Sequence, residues 1–306
     1  MLLSFILLIF GFVLLVRGAD YFVDGASALA SRLHIPAIII GLTVVAMGTS
    51  APEAAISITS ALNGSNAIAV GNIVGSNIIN IFLILGLTAL IAPLGVQKNT
   101  AYFEMPFVIF VTALLYFFGM HYGYITHVGA WVLLGLFMCF LVYLFFIARQ
   151  SQSETKEIKK YGLTRMVLYI VLGLLALVLG SDFTVKSAVE IATFLGVSQR
   201  VIGLTIIAIG TSLPELVTSI MAARKGETDI AIGNIVGSNI FNVLFVLGIS
   251  GAILPIPFET AFLFDTKIAM LAAVLLLLCS CRTMQLGRKS GILFLVLYVL
   301  YLIYLI

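Results

Sequence analysis

Glu53 and Glu215 are carboxylates in the wrong solvent. Each closes a short polar segment, "AMGTSAPE" at 46–53 and "AIGTSLPE" at 208–215, inside a long apolar run. A charged side chain at membrane depth is costly and marks a functional site by default. Gly48 and Pro52, like Gly210 and Pro214, interrupt a helix there, and proline removes one internal hydrogen bond. Carbonyls freed at that depth need partners in protein, water or an ion. Two carboxylates, freed carbonyls and nearby hydroxyls make an all-oxygen site. Hard cations take such ligands, and Ca²⁺ takes about six to eight of them at roughly 2.3–2.6 Å. No cluster of His or Cys competes for a softer metal. The spacing Ser50-x-x-Glu53 with Pro52 between also predicts a helix N-cap with a capping-box glutamate. A half-helix therefore ends near Gly48, and a new one starts near Ser50.

A second motif supplies neutral oxygens. In "GNIVGSNIIN", Asn72, Ser76 and Asn80 recur at every fourth position and form one polar stripe on a helix; Asn234, Ser238 and Asn242 repeat it. Gly71 and Gly75, with Gly233 and Gly237, form small-xxx-small pairs that let another helix approach. Amide and hydroxyl oxygens suit Na⁺ as well as Ca²⁺.

The elements that must position these residues are membrane spans. Of 306 residues, 62% are hydrophobic and 9% charged, against about 25% charged in a soluble domain. Ten apolar segments of spanning length are predicted, near 3–25, 37–62, 66–92, 104–121, 126–148, 164–185, 199–222, 229–254, 261–281 and 290–306. The first lacks the basic n-region and small-residue cleavage site of a signal peptide, so it reads as a span. The one evident linker, "ARQSQSETKEIKKYG" at 148–162, divides the chain into a first five-helix unit (1–148), a linker (149–163) and a second unit (164–306). With the N-terminus outside, twelve Lys and Arg fall in inside loops, among them Lys156, Lys159, Lys160 and Lys225; three fall outside, Lys186, Arg200 and Lys267. The positive-inside rule then places both termini outside and the linker in the cytoplasm of a multi-pass cell (inner) membrane protein. Cys139, Cys279 and Cys281 have neither zinc nor redox spacing and read as packing residues.

The two units are copies. "GLTVVAMGTSAPE" (41–53) and "GLTIIAIGTSLPE" (203–215) agree at nine of thirteen positions, and so do "VGNIVGSNIINIF" (70–82) and "IGNIVGSNIFNVL" (232–244), at one common offset of 162 residues. Gly18 and Asp20 meet Gly180 and Asp182 at the same offset. With five spans per unit, an odd number, the second copy enters the membrane from the opposite side. The expected fold is an all-α membrane protein of ten transmembrane helices, built as two inverted-topology repeats with discontinuous helices 2 and 7. Secondary transporters use this design, with the substrate near the midplane between repeats. Asp20 and Asp182 fit the mouths of the access paths or an interfacial role equally well, and Arg17 is expected to pair with Asp20 or snorkel to the interface.

The paired "GTSAPE"/"GTSLPE" and "GNIVGSNIIN"/"GNIVGSNIFN" resemble the two alpha-repeats of the cation/calcium antiporter superfamily, closest to its sodium/calcium exchanger branch. The resemblance implies exchange of Na⁺ for Ca²⁺ by alternating access, with both ions as substrates and no organic cofactor. It implies that Glu53 and Glu215 bind Ca²⁺ with the carbonyls of Thr49 and Thr211. It implies that Ala46, Ser50, Ser76, Ala208, Ser212 and Ser238 help to hold flanking Na⁺, and that Asn80 and Asn242 line the middle of the site. Relatives often carry an aspartate at one of these middle positions; this chain has asparagine at both.

Other classes fit the residues less well. A H⁺/Ca²⁺ antiporter would use Glu53 and Glu215 as proton carriers, but the second motif adds no carboxylate or histidine. A cation channel also uses broken helices, yet paired single-carboxylate motifs in inverted copies fit alternating access better. An intramembrane enzyme would need a Ser/Lys pair, a zinc-ligand cluster or an aspartyl dyad, and none has the required spacing. Beyond the ions and membrane lipid, no nucleic acid and no obligate protein partner is implied.

Overall fold

The computed structural model describes residues 2–64, 67–150, 161–197, 206 and 208–305, with only the backbone of Ala67, Ile68 and Ala208. Its helices are α1 (Leu2–Leu33), α2 (Ala37–Thr49), α3 (Ala51–Leu62), α4 (Ala69–Ile91), α5 (Thr100–Tyr122), α6 (His127–Gln150), α7 (Leu163–Phe194), α8 (Ala208–Thr211), α9 (Leu213–Arg224), α10 (Thr228–Ile253), α11 (Thr260–Cys281) and α12 (Arg288–Leu305). Among the described residues, eight helices are long and apolar enough to cross a membrane, and the bent pair α2/α3 makes a ninth. The chain is an all-helical membrane protein. Residues 151–160 of the expected linker, with Lys156, Lys159 and Lys160, lie outside the described residues, as does the start of the 199–222 segment with Arg200.

The sequence divides these helices into central and peripheral ones. The apolar window of α10 is 94% buried within the protein and that of α4 78%, against 28% for α1 and 17% for α12. The two helices that carry the Asn/Ser motif therefore occupy the centre. Both depart from regular α geometry, at Ile79–Leu85 and Asn242–Val246, where they widen into π turns. Such turns often accompany functional sites, and these contain Asn80 and Asn242.

At the periphery α1 and α7 run antiparallel along each other. A Cβ on Gly18 would stand 2.8 Å from the Gly173 carbonyl, and one on Gly173 2.8 Å from that of Gly18. Farther along, Gly11 faces Gly180, and Gly25 faces Met166 and Ile170. Small residues let the backbones meet, as between helices in lipid. Both helices have 32 residues, longer than the predicted 3–25 and 164–185. The stretches after Asp20 and Asp182 end the apolar run but remain helical, since neither contains a proline.

Two small β pairs were not anticipated. Leu94–Gly95 (β1) pairs with Gln285–Leu286 (β4), and Tyr124–Ile125 (β2) pairs with Ile256–Pro257 (β3), each joining a loop of one unit to a loop of the other. Asp20 pairs with Lys225 at 2.7 Å rather than with Arg17, and Asp24 joins the same ammonium at 2.6 Å. Asp182 pairs with its own helix neighbour Lys186 at 2.9 Å.

Candidate ion site

The break in the 37–62 segment falls where glycine and proline predict it. Helix α2 ends at Thr49 and α3 begins at Ala51, with the axes 50° apart. Ser50 sits at the joint with φ −82° and ψ 9°, and Ser212 has the same conformation, φ −88° and ψ 7°. The first helical bonds beyond each joint are Ala54 N–H to the Ser50 carbonyl (3.1 Å) and Leu216 N–H to the Ser212 carbonyl (3.0 Å). Pro52 and Pro214 offer no N–H, so the Gly48 and Gly210 carbonyls lose the donor four residues on; a backbone N–H at the joint reaches the Gly48 carbonyl. Gly210 receives the Ser181 hydroxyl instead, at 2.7 Å.

The expected capping box does not form. Neither serine caps its own helix. Ser50 Oγ instead donates to Glu215 Oε1 at 2.7 Å, and Ser212 Oγ donates to Glu53 Oε1 at 3.3 Å. The hydroxyls are spent across the interface between the units, so each unit holds the other's carboxylate. Thr211 stands beside Glu53 and Thr49 beside Glu215, completing the exchange. Both glutamates are 1% exposed. Ser76 Oγ points at Glu53 Oε1 from α4 at 3.5 Å. Ser238 Oγ donates to the Ala46 carbonyl at 3.4 Å, a carbonyl that also accepts from Ser50 N–H at 3.0 Å. The side chain of Ala208 lies outside the described residues.

The polar stripe divides its labour. Asn72 and Asn234 do not face the centre with Asn80 and Asn242. Asn72 Nδ2 donates to Ser57 Oγ (3.1 Å) and the Glu53 carbonyl (3.4 Å); Asn234 Nδ2 donates to Ser219 Oγ (3.0 Å) and the Glu215 carbonyl (3.4 Å). They brace the glutamate backbone, and Thr49 Oγ1 adds a bond to Asn234 Oδ1 at 3.0 Å.

Two residues outside the stripe orient the middle of the site. Asn77 Nδ2 donates to the Asn239 carbonyl (3.2 Å), and Asn239 Nδ2 to the Asn77 carbonyl (3.4 Å). A backbone carbonyl only accepts, so each amide must turn its nitrogen there and its oxygen away. Those oxygens then receive Asn242 Nδ2 (3.1 Å) and Asn80 Nδ2 (2.9 Å). With their nitrogens committed, Asn80 and Asn242 keep only oxygen free. Among the described residues, Asn80 Oδ1, Asn242 Oδ1, Glu53 Oε2 and Glu215 Oε2 are all buried without a hydrogen-bond partner. Asn77 and Asn239 escaped the sequence reading because they lie one position off the fourfold spacing; their identity in both copies was the available signal.

A multi-pass helical membrane protein with two such cross-braced carboxylates at its core belongs to the ion-transporter class. The chain is a member of the sodium/calcium exchanger protein family, whose model matches residues 3–146 and 165–306. That family consists of exchangers rather than enzymes, which places the chain among cation/Ca²⁺ antiporters. It is 38% identical over 305 residues to inner membrane protein YrbG of Escherichia coli (strain K12), covering 96% of this chain and 94% of that one. It is 32% identical to sodium/calcium exchanger MaX1 of Methanosarcina acetivorans, covering 98% and 97%. Its structure is similar to that of the sodium-calcium exchanger NCX_Mj soaked with zero Na⁺ and Ca²⁺, with a TM-score of 0.86 at 30% identity over 100% of this chain and 99% of that chain.

Proposed function

We propose that the chain exchanges Na⁺ for Ca²⁺ across the membrane by alternating access at the Glu53–Glu215 centre. The observation that carries the reading is the set of four buried oxygens without partners, two anionic and two amide, each turned free by the bonds around it. A buried polar atom is normally hydrogen-bonded; a cation supplies what these four lack. Two carboxylates balance one Ca²⁺ or two Na⁺, so the ions exclude each other and a Na⁺ gradient drives Ca²⁺ the opposite way.

In this reading Glu53 and Glu215 bind Ca²⁺ with the carbonyls of Thr49 and Thr211, and Asn80 and Asn242 line the middle. Ser50, Ser76, Ser212 and Ser238, with the carbonyls of Ala46 and Ala208, hold flanking Na⁺. The scaffold is a ten-span inverted repeat, with units 1–148 and 164–306, both termini outside and the 149–163 linker in the cytoplasm. The family match in two blocks, the antiparallel run of α1 against α7 at the 162-residue offset, and the loop pairing β1–β4 and β2–β3 support it. Hydroxyl and amide oxygens with no third carboxylate favour Na⁺ over H⁺ as the coupling ion.

The test is Ca²⁺ uptake into proteoliposomes, first under an imposed Na⁺ gradient and then under a pH gradient at equal Na⁺. Uptake that follows the Na⁺ gradient alone is expected. Uptake driven by the pH gradient alone would overturn Na⁺ coupling.

A further inference from the structure

The duplication equates α1 with α7 and α3 with α9, so the pair α1–α9 corresponds to the pair α7–α3. The two pairs are not packed alike. Helix α1 lies along α9, whereas α7 has no comparable packing on α3 among the described residues. Burial follows the packing. Pro214, Thr218 and Ala222 recur at every fourth position of α9 and are all buried. Their equivalents on α3, Pro52, Ile56 and Ser60, are not, and Ile56 is 39% exposed against 0% for Thr218. Thr218 is also the polar member of that face. It follows Glu215 by three residues, and its hydroxyl is buried without a hydrogen-bond partner among the described residues. A buried hydroxyl is normally paired; water would pair this one if α1 withdrew.

Charge fastens the covered pair. Lys225 caps the C-terminal end of α9, and its ammonium lies 2.7 Å from Asp20 Oδ1 and 2.6 Å from Asp24 Oδ1. It also donates to the Asp20 carbonyl at 2.7 Å. An ammonium has three donors, and all three are spent on α1. One turn farther, Ser27 Oγ donates to Glu227 Oε1 at 3.0 Å. Asp20, Asp24 and Ser27 are spaced i, i+4, i+7 and so share one face of α1. The other pair lacks these parts. The equivalents of Lys225, Asp24 and Ser27 are Asn63, Lys186 and Val189, and Asp182 turns to Lys186 on its own helix. The fastening is also reversible. Lys225 keeps 23% of its side chain exposed and the two aspartates 33% each, and ion pairs that remain in touch with water cost little to separate.

We propose that Lys225 is a gate residue of the exchange cycle: its ion pairs with Asp20 and Asp24 hold α1 over the Thr218 face of α9, close the path to Glu215 from the side assigned to the cytoplasm, and break and re-form in every cycle. This gate presupposes alternating access at the Glu53–Glu215 centre. Two measurements on the full-length protein in proteoliposomes test it. In a Cys139→Ser/Cys279→Ser/Cys281→Ser background, Thr218→Cys reports the covered face to a membrane-impermeant methanethiosulfonate. Adding Lys225→Met should speed its modification by about fivefold, the size of a partly exposed ion-pair network, while Asp182→Asn, which breaks only the pair within α7, should leave the rate unchanged. Equal rates in Lys225→Met and its parent would overturn the gate. In the same background, Asp24→Cys/Lys225→Cys replaces the ion pair by a site for a short bis-methanethiosulfonate that dithiothreitol cleaves. Cross-linking should abolish Na⁺-driven Ca²⁺ uptake, and cleavage should restore it. Undiminished uptake in the cross-linked protein would make the contact a permanent brace and overturn the gate. Absence of Na⁺-driven uptake in the unaltered protein would refute Na⁺ coupling instead, and the modification rates, which need no Na⁺ gradient, still decide the gate.

Discussion

Replacing Asn239 by leucine tests how the Asn80 oxygen is aimed. The substitution removes Asn239 Oδ1, the acceptor of Asn80 Nδ2 at 2.9 Å. It leaves the Asn239 carbonyl, so Asn77 keeps its bond there at 3.2 Å and still receives Asn242 at 3.1 Å. Only the Asn80 half of the centre loses its brace. A buried N–H without an acceptor costs about 1–3 kcal/mol, and the Asn80 amide relieves that cost by turning over. Its NH₂ then points where its oxygen was, and an ion must turn it back to bind. A cost of about 1.4 kcal/mol is about tenfold in affinity. Equilibrium ⁴⁵Ca²⁺ binding to purified protein should therefore show Asn239→Leu weaker by about tenfold. Because Asn239 acts through Asn80, the double variant Asn80→Ala/Asn239→Leu should bind within about twofold of Asn80→Ala, the non-additivity expected of residues in one network. Unchanged affinity in Asn239→Leu, or additive losses in the double variant, would refute the positioning role.

Glu53→Gln or Glu215→Gln leaves one carboxylate to compensate a divalent ion in a low-dielectric site. Each should abolish Na⁺-driven Ca²⁺ flux in a protein that still melts cooperatively; normal flux at equal expression would falsify the assignment. In the proposed mechanism protons and cations compete for the same two carboxylates, so acidification should inhibit uptake and added Ca²⁺ or Na⁺ should restore it. Inhibition that no excess of ion relieves would place the responsible proton elsewhere. Gly18→Val forces a side chain to within 2.8 Å of the Gly173 carbonyl; overpacking of this kind costs about 1–3 kcal/mol. A melting temperature equal to wild type would show that α1 and α7 separate freely.

Much of the scaffold was legible because the chain is so apolar that each polar residue inside a span stands out. The break at Ser50 could be placed from Gly48 and Pro52, whose backbone chemistry is local, and the duplication from an ungapped offset. What failed was non-local. Ser50-x-x-Glu53 has the spacing of a capping box, but its hydroxyl reaches Glu215, 165 residues away, and spacing carries no information about a partner on another helix. The stripe Asn72–Ser76–Asn80 was drawn on one helix face, yet Asn72 turns to Ser57 and the Glu53 backbone because the helix beside it offers those partners. Glu104 carries no local signal of its partner, since Tyr143 is 39 residues on.

Near-identity of the two motifs also hides a difference made by the helix behind them. Pro52 and Pro214 each deprive the carbonyl four residues back of its donor. In the second unit Ser181 on α7 restores that bond to Gly210 at 2.7 Å. The equivalent of Ser181 on α1 is Ala19, which has no hydroxyl to give, and the Gly48 carbonyl is met by a backbone N–H at the joint instead. The same asymmetry recurs farther along these helices: Lys225 ties α9 to Asp20 and Asp24 of α1, whereas its equivalent is Asn63, and Asp182 turns to Lys186 on its own helix. The copied motifs thus build the two halves of the centre alike, while residues on the peripheral helices hold the two halves by different bonds.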